Sequence, residues 1–499
     1  MTILAGLQWN LLVPAASAAL GALVVLAIDA VLGRTGDDAR ATGRHGLFLT
    51  ISATIALVSS VLSALVFLSA GSTSSFDPLL GHFRMDGLAA ASIVIIGSFG
   101  ILVTWLSTTY LMALSLRAGD YYALLLLSLS GAFLAFSADH LLVLFMGLEL
   151  LALPAHVLAG FDRGRLRSNE AGLKSFLLGA FASALLLYGM ALLFGASGRL
   201  DFAGVRIALA SGSPLAPAGL ALLLMGIGLR AGIAPFHQWA PDVDEGAPTS
   251  VTAFVSVCVR GAALLVLLRL VVHGLPEGDA TYRAVFAALA VVGIVVGSLM
   301  AMVQRNVKRL IAWAGVAQLG IMAMSFAVGG SAAYGAMLFH LIAVGFMTLG
   351  VLGVLLTLAS GGREVERIED FAGVGQSRPA LAALTTLFLM GLAGLPLTAG
   401  FWAKWALLRA IVAEGRVELA AVALLGSVLL LFAYMRIPTL LYMRDAPEHR
   451  TSEASTSELA MLLVCAAVTL YLGVFPDPVL PGQNVGLIEL LARLTISPS

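Results

Sequence analysis

Gly226-Ile-Gly-Leu-Arg230-Ala-Gly-Ile-Ala-Pro235-Phe-His237 interrupts an apolar run at 215–241 that is otherwise long enough to cross a ~30 Å hydrocarbon core. Proline removes a backbone donor and crowds the preceding turn, and the glycines weaken the same stretch. A helix broken at membrane depth is tolerated only where the break faces protein or a water-filled cavity. Arg230 sits beside this break, near the centre of the run. A charge there costs at least about 2.5–3.5 kcal/mol unless it is paired or hydrated. The segment therefore reads as a discontinuous membrane helix whose break lines a polar interior.

The same punctuation returns at Gly391-Leu-Ala-Gly-Leu-Pro396-Leu-Thr-Ala-Gly400-Phe-Trp-Ala-Lys404, within the apolar run 380–413. Around these two segments lie further runs of membrane-spanning length, at 11–33, 46–70, 86–112, 119–137, 139–160 and 169–195 before the second break's partner at 215–241. The rest fall at 248–273, 282–302, 308–328, 332–359, 417–443 and 457–480. The expectation is an all-α integral membrane protein of about fourteen transmembrane helices, broken in spans seven and twelve. The broken spans are five apart, an odd number, so repeats that contain them are inverted in the membrane. One proline alone is accounted for by a packing kink, whereas two at matching places point to an ion or substrate pathway. The whole of 1–499 is then one polytopic domain: spans one to three in 1–118, a first repeat in 119–273, an inverted second repeat in 282–443, and a last span at 457–480.

Composition agrees. The 499 residues are 60% hydrophobic and 11% charged, against roughly 25% charged in soluble domains, so lipid is the solvent for much of the surface. The formal net charge is +0, without acidic or basic blocks, which argues against a nucleic-acid partner. Cys258 and Cys465 lie far apart in apolar runs, which argues against a disulfide or metal site, and two cysteines are too few to ligate an iron–sulfur cluster. The first apolar run lacks the basic flank of a cleaved signal and is read as a retained span. Arginine and lysine fall in alternate loops, roughly 15 in the set that includes Arg34, Arg163, Lys308, Arg363 and Arg450, against roughly 6 in the other, which includes Arg84 and Arg283. That bias places the first set in the cytoplasm and both termini outside.

Ionisable groups lie inside the runs. Glu149, Arg230 and Arg260 are near the centres of spans five, seven and eight; Lys404 follows the second break; Lys174 is about one turn inside span six; His340 lies within span eleven. A chain of groups that gain and lose protons is what proton transfer across a membrane needs. Carboxylate, lysine and histidine qualify, but arginine does not, so Arg230 and Arg260 are fixed positive charges that tune their neighbours. A static ion-pair network that holds the helices together is the alternative. For Asp29, Arg269, His273 and Arg409, nearer the span ends, snorkelling or a structural pair suffices. His237 faces the first break or else only bonds the freed carbonyls. His156 leans towards a structural hydrogen bond, and Asp139-His140 towards an interfacial cap. Asp242, Asp244 and Glu245 read as an acidic loop with capping and turn chemistry.

Several of these segments resemble one family. Gly147-Leu-Glu149-Leu-Leu-Ala-Leu-Pro154, Asn169-Glu-Ala-Gly-Leu-Lys174-Ser-Phe and Pro235-Phe-His-Gln-Trp-Ala-Pro-Asp242-Val-Asp-Glu-Gly-Ala-Pro248 occur in order, followed by Asn306-Val-Lys-Arg-Leu-Ile-Ala-Trp and Gly400-Phe-Trp-Ala-Lys404. They are similar to the antiporter-like membrane subunits of bacterial NADH–quinone oxidoreductase (respiratory complex I), and among these to the N subunit, over about residues 80 to 440. The Glu-Gly-Ala-Pro turn and the short tail after span fourteen favour that subunit over its larger siblings. The resemblance implies two inverted five-helix repeats, a location in the bacterial inner membrane, and partners in the membrane and peripheral arms of the complex. NADH, FMN, iron–sulfur clusters and quinone are then expected in those partners, with no cofactor and no metal in this chain. It carries the proton path onto Glu149, Arg230, Arg260 and Lys404, with Lys174 close by.

Two departures matter. Arg230 and Arg260 stand where the family usually has lysine, and Gln318 where it usually has histidine. Electrostatic coupling to Glu149 survives, but proton transfer then rests on water, Glu149, Lys174, His340 and Lys404. A non-pumping structural paralogue is the alternative reading, as is a subunit of a multi-subunit cation/proton antiporter or of a membrane-bound hydrogenase.

Overall fold

Without water in a bilayer core, each backbone N–H and C=O must be satisfied inside the chain, and a helix does this within one segment. The computed structural model describes residues 12–32, 39–69, 82–114, 116–276, 280–358, 365–445, 456–476 and 486–495. Extended pairing among them is limited to single bridges such as Phe83–Ala138 and Asn306–Arg367. The helices are α1 (Val13–Leu32), α2 (Ala39–Ser69), α3 (Gly87–Ala113), α4 (Ala118–Phe136), α5 (Leu141–Ala159) and α6 (Leu166–Ser197). Then come α7 (Phe202–Ala210), α8 (Leu215–Ala231), α9 (Trp239–Gly246), α10 (Thr249–Gly274), α11 (Ala280–Val303) and α12 (Val307–Val328). The chain continues through α13 (Ser331–Leu358), α14 (Pro379–Ala393), α15 (Ala399–Ala413), α16 (Val417–Met443), α17 (Thr456–Val474) and α18 (Leu487–Thr495).

Eleven of these helices are long and apolar enough to cross a membrane, and α8, α14 and α17 are shorter apolar helices that fall on the remaining expected runs. The chain is a multi-pass membrane protein. The expected run limits at residues 11, 33, 70, 359 and 480 lie outside the described residues, as do Arg34, Arg363 and Arg450 of the charge bias. Three short helices were not expected, one of them α9, in the stretch read as an acidic loop. α7 connects α6 to α8, and α18 occupies what read as a bare tail. α18 is held by close contact: a Cβ on Gly335 of α13 would lie 2.8 Å from that of Ala492, and one on Gly87 would lie 2.7 Å from Leu494. Cys258 and Cys465 are buried and free.

Small residues bring the helices together, as expected where apolar packing alone gives no preference over lipid. Gly293 of α11 meets Gly320 of α12 so closely that a Cβ would sit 3.2 Å from the Gly320 Cα. Hydroxyls that would be costly in lipid return to their own helices, as in Ser92 to Leu88 at 2.7 Å and Thr104 to Gly100 at 2.8 Å. The outer helices α1, α2, α6 and α16 present large apolar side chains such as Leu23, Ile55, Leu177 and Leu425 to the surroundings. By contrast α10, α12 and α13 are almost wholly enclosed, and they carry Arg260, Gln318 and His340.

One ion pair fastens this enclosed centre at an end of the bundle. Asp86 caps α3 by accepting the Ala89 N–H at 2.8 Å, and its two oxygens take Arg269 Nη1 of α10 at 3.0 Å each. Arg269 also donates to the carbonyls of Ala138 at 2.6 Å and Arg84 at 3.0 Å, and His273 stands 3.1 Å from Asp86. Arg269 is only 1% exposed. Of the two readings its position near a span end allowed, snorkelling or a structural pair, it takes the structural pair, because the turn at 82–86 and the end of α4 close over it. The nearby cap of α7 is of the exposed kind. A hydrogen bond from Arg199 holds the Asp201 carboxyl below the ordinary carboxylate range, against partial burial.

Asp86→Asn keeps an effective capping side chain but leaves Arg269 buried without its counter-charge, which costs about 3–5 kcal/mol. A marked fall in the thermal midpoint of the detergent-solubilised protein is expected, and Asp86→Asn at the wild-type midpoint would remove Asp86 as the fastening point.

Candidate functional site

At the first break, α8 ends in Gly232, whose φ of 75° places it in the left-handed region that glycine permits without strain. Its N–H and that of Ile233 turn back to the Gly228 carbonyl at 2.9 and 3.0 Å, and Trp239 Nε1 takes the Leu229 carbonyl at 2.7 Å. Arg230 lies in this last turn, where the negative end of the helix dipole favours a cation. Its guanidinium pairs with Glu149 of α5, donates to Ser183 of α6 at 2.8 Å and reaches the Leu148 carbonyl at 3.1 Å. Ser183 in turn donates to Glu149 Oε1 at 2.5 Å. Beyond the trio, His156 Nδ1 shares a 2.6 Å hydrogen bond with Ser175. Both line a cavity of about 30 Å³ together with Arg230 and Trp239, enough for one or two waters.

The next charges sit on α9 and α10. Pro248 opens α10, and residues Phe254–Val259 form a π-helical stretch that ends at Arg260. Such a bulge resets the face on which the following side chains emerge. Here Arg260 meets Asp244 of α9 at 2.7 Å, with the two side chains 3% and 1% exposed. Ser256, inside the π stretch, donates to Asp244 at 3.0 Å, and the Arg260 guanidinium lies 5.3 Å from the centre of the Trp239 ring. Asp244 is thus no loop cap: α9 is helical and turns it inward, away from Asp242 and Glu245.

At the second break α14 ends as α8 does. Gly394 is left-handed with φ of 89°, and the N–H groups of Gly394 and Leu395 both return to the Met390 carbonyl at 3.1 Å. The carbonyls left free at this end are taken by Lys404 of α15, whose Nζ donates to Leu392 at 3.2 Å and Ala393 at 2.8 Å. Gln318 of α12 shares the Leu392 carbonyl at 2.9 Å, and its Oε1 lies 3.1 Å from His340 Nε2 of α13. A cavity of about 40 Å³ is lined by Ser256, Arg260, Gln318, Leu392 and Tyr434. It joins the Arg260 pair to the Lys404 end.

Most of the expected residues lie in a row. Glu149 with Arg230, Arg260 with a partner, and His340 and Lys404 through Gln318 all lie on it. His237 packs edge-on against Trp313, ring centres 5.1 Å apart, beside the row. Lys174 lies elsewhere: at 40% side-chain exposure it pairs with Glu170 at 2.6 Å and Asp242 at 2.9 Å. Arg309 joins Asp242 and Glu245 there, each at 2.8 Å, around a polar opening of about 170 Å³. Asp244 and Ser183 escaped the sequence reading. A helical period across 242–245 signals the first, since residues three apart share a face and Asp244 falls off it. Nothing singles out Ser183 among the many hydroxyls. Among the described residues no group of three or more His, Cys, Asp or Glu side chains could hold a metal ion.

The sequence matches the family described as NADH:quinone oxidoreductase/Mrp antiporter, TM, over residues 138–444. It is 37% identical over 481 residues to NADH-quinone oxidoreductase subunit N 2 of Rhizobium meliloti, an alignment that spans 95% of this chain and 97% of that protein. Among solved structures, a chain of respiratory complex I from Thermus thermophilus with bound aureothin is 28% identical and superposes with a TM-score of 0.75, over 93% of this chain and 97% of that one. A chain of the Mrp complex from Dietzia sp. DQ12-45-1b superposes at 0.83 with 20% identity, over 98% and 97%, which speaks for the fold alone. The chain belongs to the NADH:quinone oxidoreductase/Mrp antiporter family of membrane subunits.

Proposed function

We propose that the chain is the N-type subunit in the membrane arm of a complex I-type NADH:quinone oxidoreductase and carries protons through the row of buried polar groups. The observation that carries this reading is the row itself: Glu149 and Arg230, the Arg260 pair, then Gln318, His340 and Lys404, linked by a cavity lined on one side by Arg260 and on the other by Gln318. Glu149 and Lys404 are the titratable ends. Arg230 and Arg260 hold fixed charge and set the field at Glu149 and around the cavity. NADH, FMN, iron–sulfur clusters and quinone belong to partner subunits, whose redox reaction supplies the driving energy. Spans four to eight and nine to thirteen form the two inverted repeats, each with a broken helix as its fourth span. Both termini face the outside of a bacterial inner membrane, and the opening around Lys174, Asp242 and Arg309 faces the cytoplasm, where it admits water towards Glu149.

Mild-detergent purification of the tagged chain, followed by mass spectrometry, tests the assembly. Flavin, iron–sulfur and quinone-site subunits are expected with it. Recovery instead of small antiporter subunits or of a nickel hydrogenase would overturn the complex I assignment.

Loss of a proton-carrying group slows its step by about 10²–10⁴-fold, enough to remove that step from turnover. Lys404→Ala is therefore expected to lower the protons moved per electron pair in vesicles that contain the assembled complex. A yield equal to wild type would end the relay reading.

Glu149→Gln removes the carboxylate paired with Arg230 and should lower the same yield, while Ser183→Ala, which deletes one hydrogen bond to Glu149, should cost rate but not yield. Equal behaviour of the two variants would make the trio a structural clasp.

A further inference from the structure

The roles given above leave no proton carrier beside Arg260, because neither arginine can release a proton at any relevant pH. We propose that Asp244 is that carrier, standing in the place where Arg260 cannot serve; this rests on the proton-translocation reading above.

Asp244 is 0% exposed and lies on the helix that follows the first break. One of its oxygens, Oδ2, is fully engaged, with Arg260 Nη2 at 2.7 Å and Ser256 Oγ at 3.0 Å. The other, Oδ1, is buried and has no hydrogen-bond partner among the described residues. A carboxylate kept only as a counter-ion gains from bonding both oxygens. One that leaves an oxygen bare in a closed interior has a position at which a proton can be added without breaking an existing bond. The charged groups facing it are Arg260 from α10 and Lys308 from α12, whose Nζ donates to the Ala247 carbonyl at 2.8 Å. On the far side of Ser256 and Arg260 lies the cavity that reaches Gln318 and Leu392.

The step balances in protons alone. Asp244 Oδ1 accepts one proton from water on the Glu149 side and becomes a neutral acid. Arg260 then loses its counter-charge, and its guanidinium is drawn towards the carbonyl and amide oxygens at the cavity, those of Leu392 and Gln318. The same proton then leaves Oδ1 towards the Lys404 end, driven by the return of the guanidinium to the carboxylate, and the pair is restored. One proton enters and one leaves, with no electron transferred and no bond to carbon made or broken.

The test uses the assembled complex in vesicles, with proton yield per electron pair and its pH profile as readouts. Asp244→Asn is expected to lose the same increment of yield as Lys404→Ala. Because the two groups act in series, the double variant Asp244→Asn/Lys404→Ala should lose no more than either. Asp244→Glu should recover the yield with a displaced pH profile. Should Asp244→Asn fail to assemble because Arg260 is left unpaired, Asp244→Asn/Arg260→Gln removes both charges, and it should assemble without recovering the yield. Full yield in that charge-neutral variant would make Asp244 a mere counter-ion and overturn the proposal. If Asp244→Asn keeps full yield while Lys404→Ala loses it, the proposal alone fails. If both keep full yield, the chain does not pump and the underlying reading fails with it.

Discussion

Every charge placed inside this bundle has to be answered by another protein group, because neither lipid nor bulk water is there to do so. The requirement is steep: an unpaired ion in such a setting costs several kcal/mol. It accounts for the arrangement of the enclosed helices. Arg269 is met by Asp86 and two carbonyls, Arg230 by Glu149, a serine and a carbonyl, and Arg260 by Asp244 and the face of Trp239. The Arg269 and Arg230 pairs join helices distant in sequence, and the Arg260 pair ties α10 to α9 just before it. The pairs therefore decide which elements touch, while the glycine contacts set how closely.

The two broken helices answer the same requirement with backbone in place of side chains. Ending a helix inside the protein frees carbonyls that need donors, and each break supplies them from the segment that follows. Trp239 does so at α8 and Lys404 at α14. In the second case the donor is a cation held at the negative end of a helix dipole. The break is thus the means by which a lysine is accommodated in the interior without a carboxylate beside it among the described residues.

The membrane class, the positions of the spans and both breaks were legible in the sequence, because hydropathy over about twenty residues and Gly/Pro punctuation are local properties. Glu149, Arg230, Arg260 and Lys404 were legible for the same reason: a charge within an apolar run stands out. What could not be read was who meets whom. For Arg269 the distance from the span end allowed snorkelling or a structural pair, and only the fold of 82–86 over it decides for the pair. Lys174 looked like a member of the row from its depth in the run. Yet α6 is 32 residues long, so its first turns extend beyond the apolar layer into a charged opening. Asp244 read as loop chemistry because it stands in an acidic run with Asp242 and Glu245, although the segment is helical.

The two kinds of solution differ in what a proton does to them. In a carboxylate–guanidinium pair the arginine is constant, so only the carboxylate can change state, and each protonation exposes a fixed positive charge to its surroundings. At Lys404 the cation itself is the variable, and its loss of a proton removes the charge that the end of α14 had stabilised. Protonation of a carboxylate in the Arg260 pair therefore raises the positive potential at Gln318 and Leu392, where Lys404 sits, and favours its deprotonation across the cavity of about 40 Å³. On the proposed function, charge is passed along such a row by repulsion between neighbours, with Asp244 the group that changes state beside Arg260. Arginines in the middle of the row are compatible with that mode of transfer so long as each keeps a carboxylate within reach.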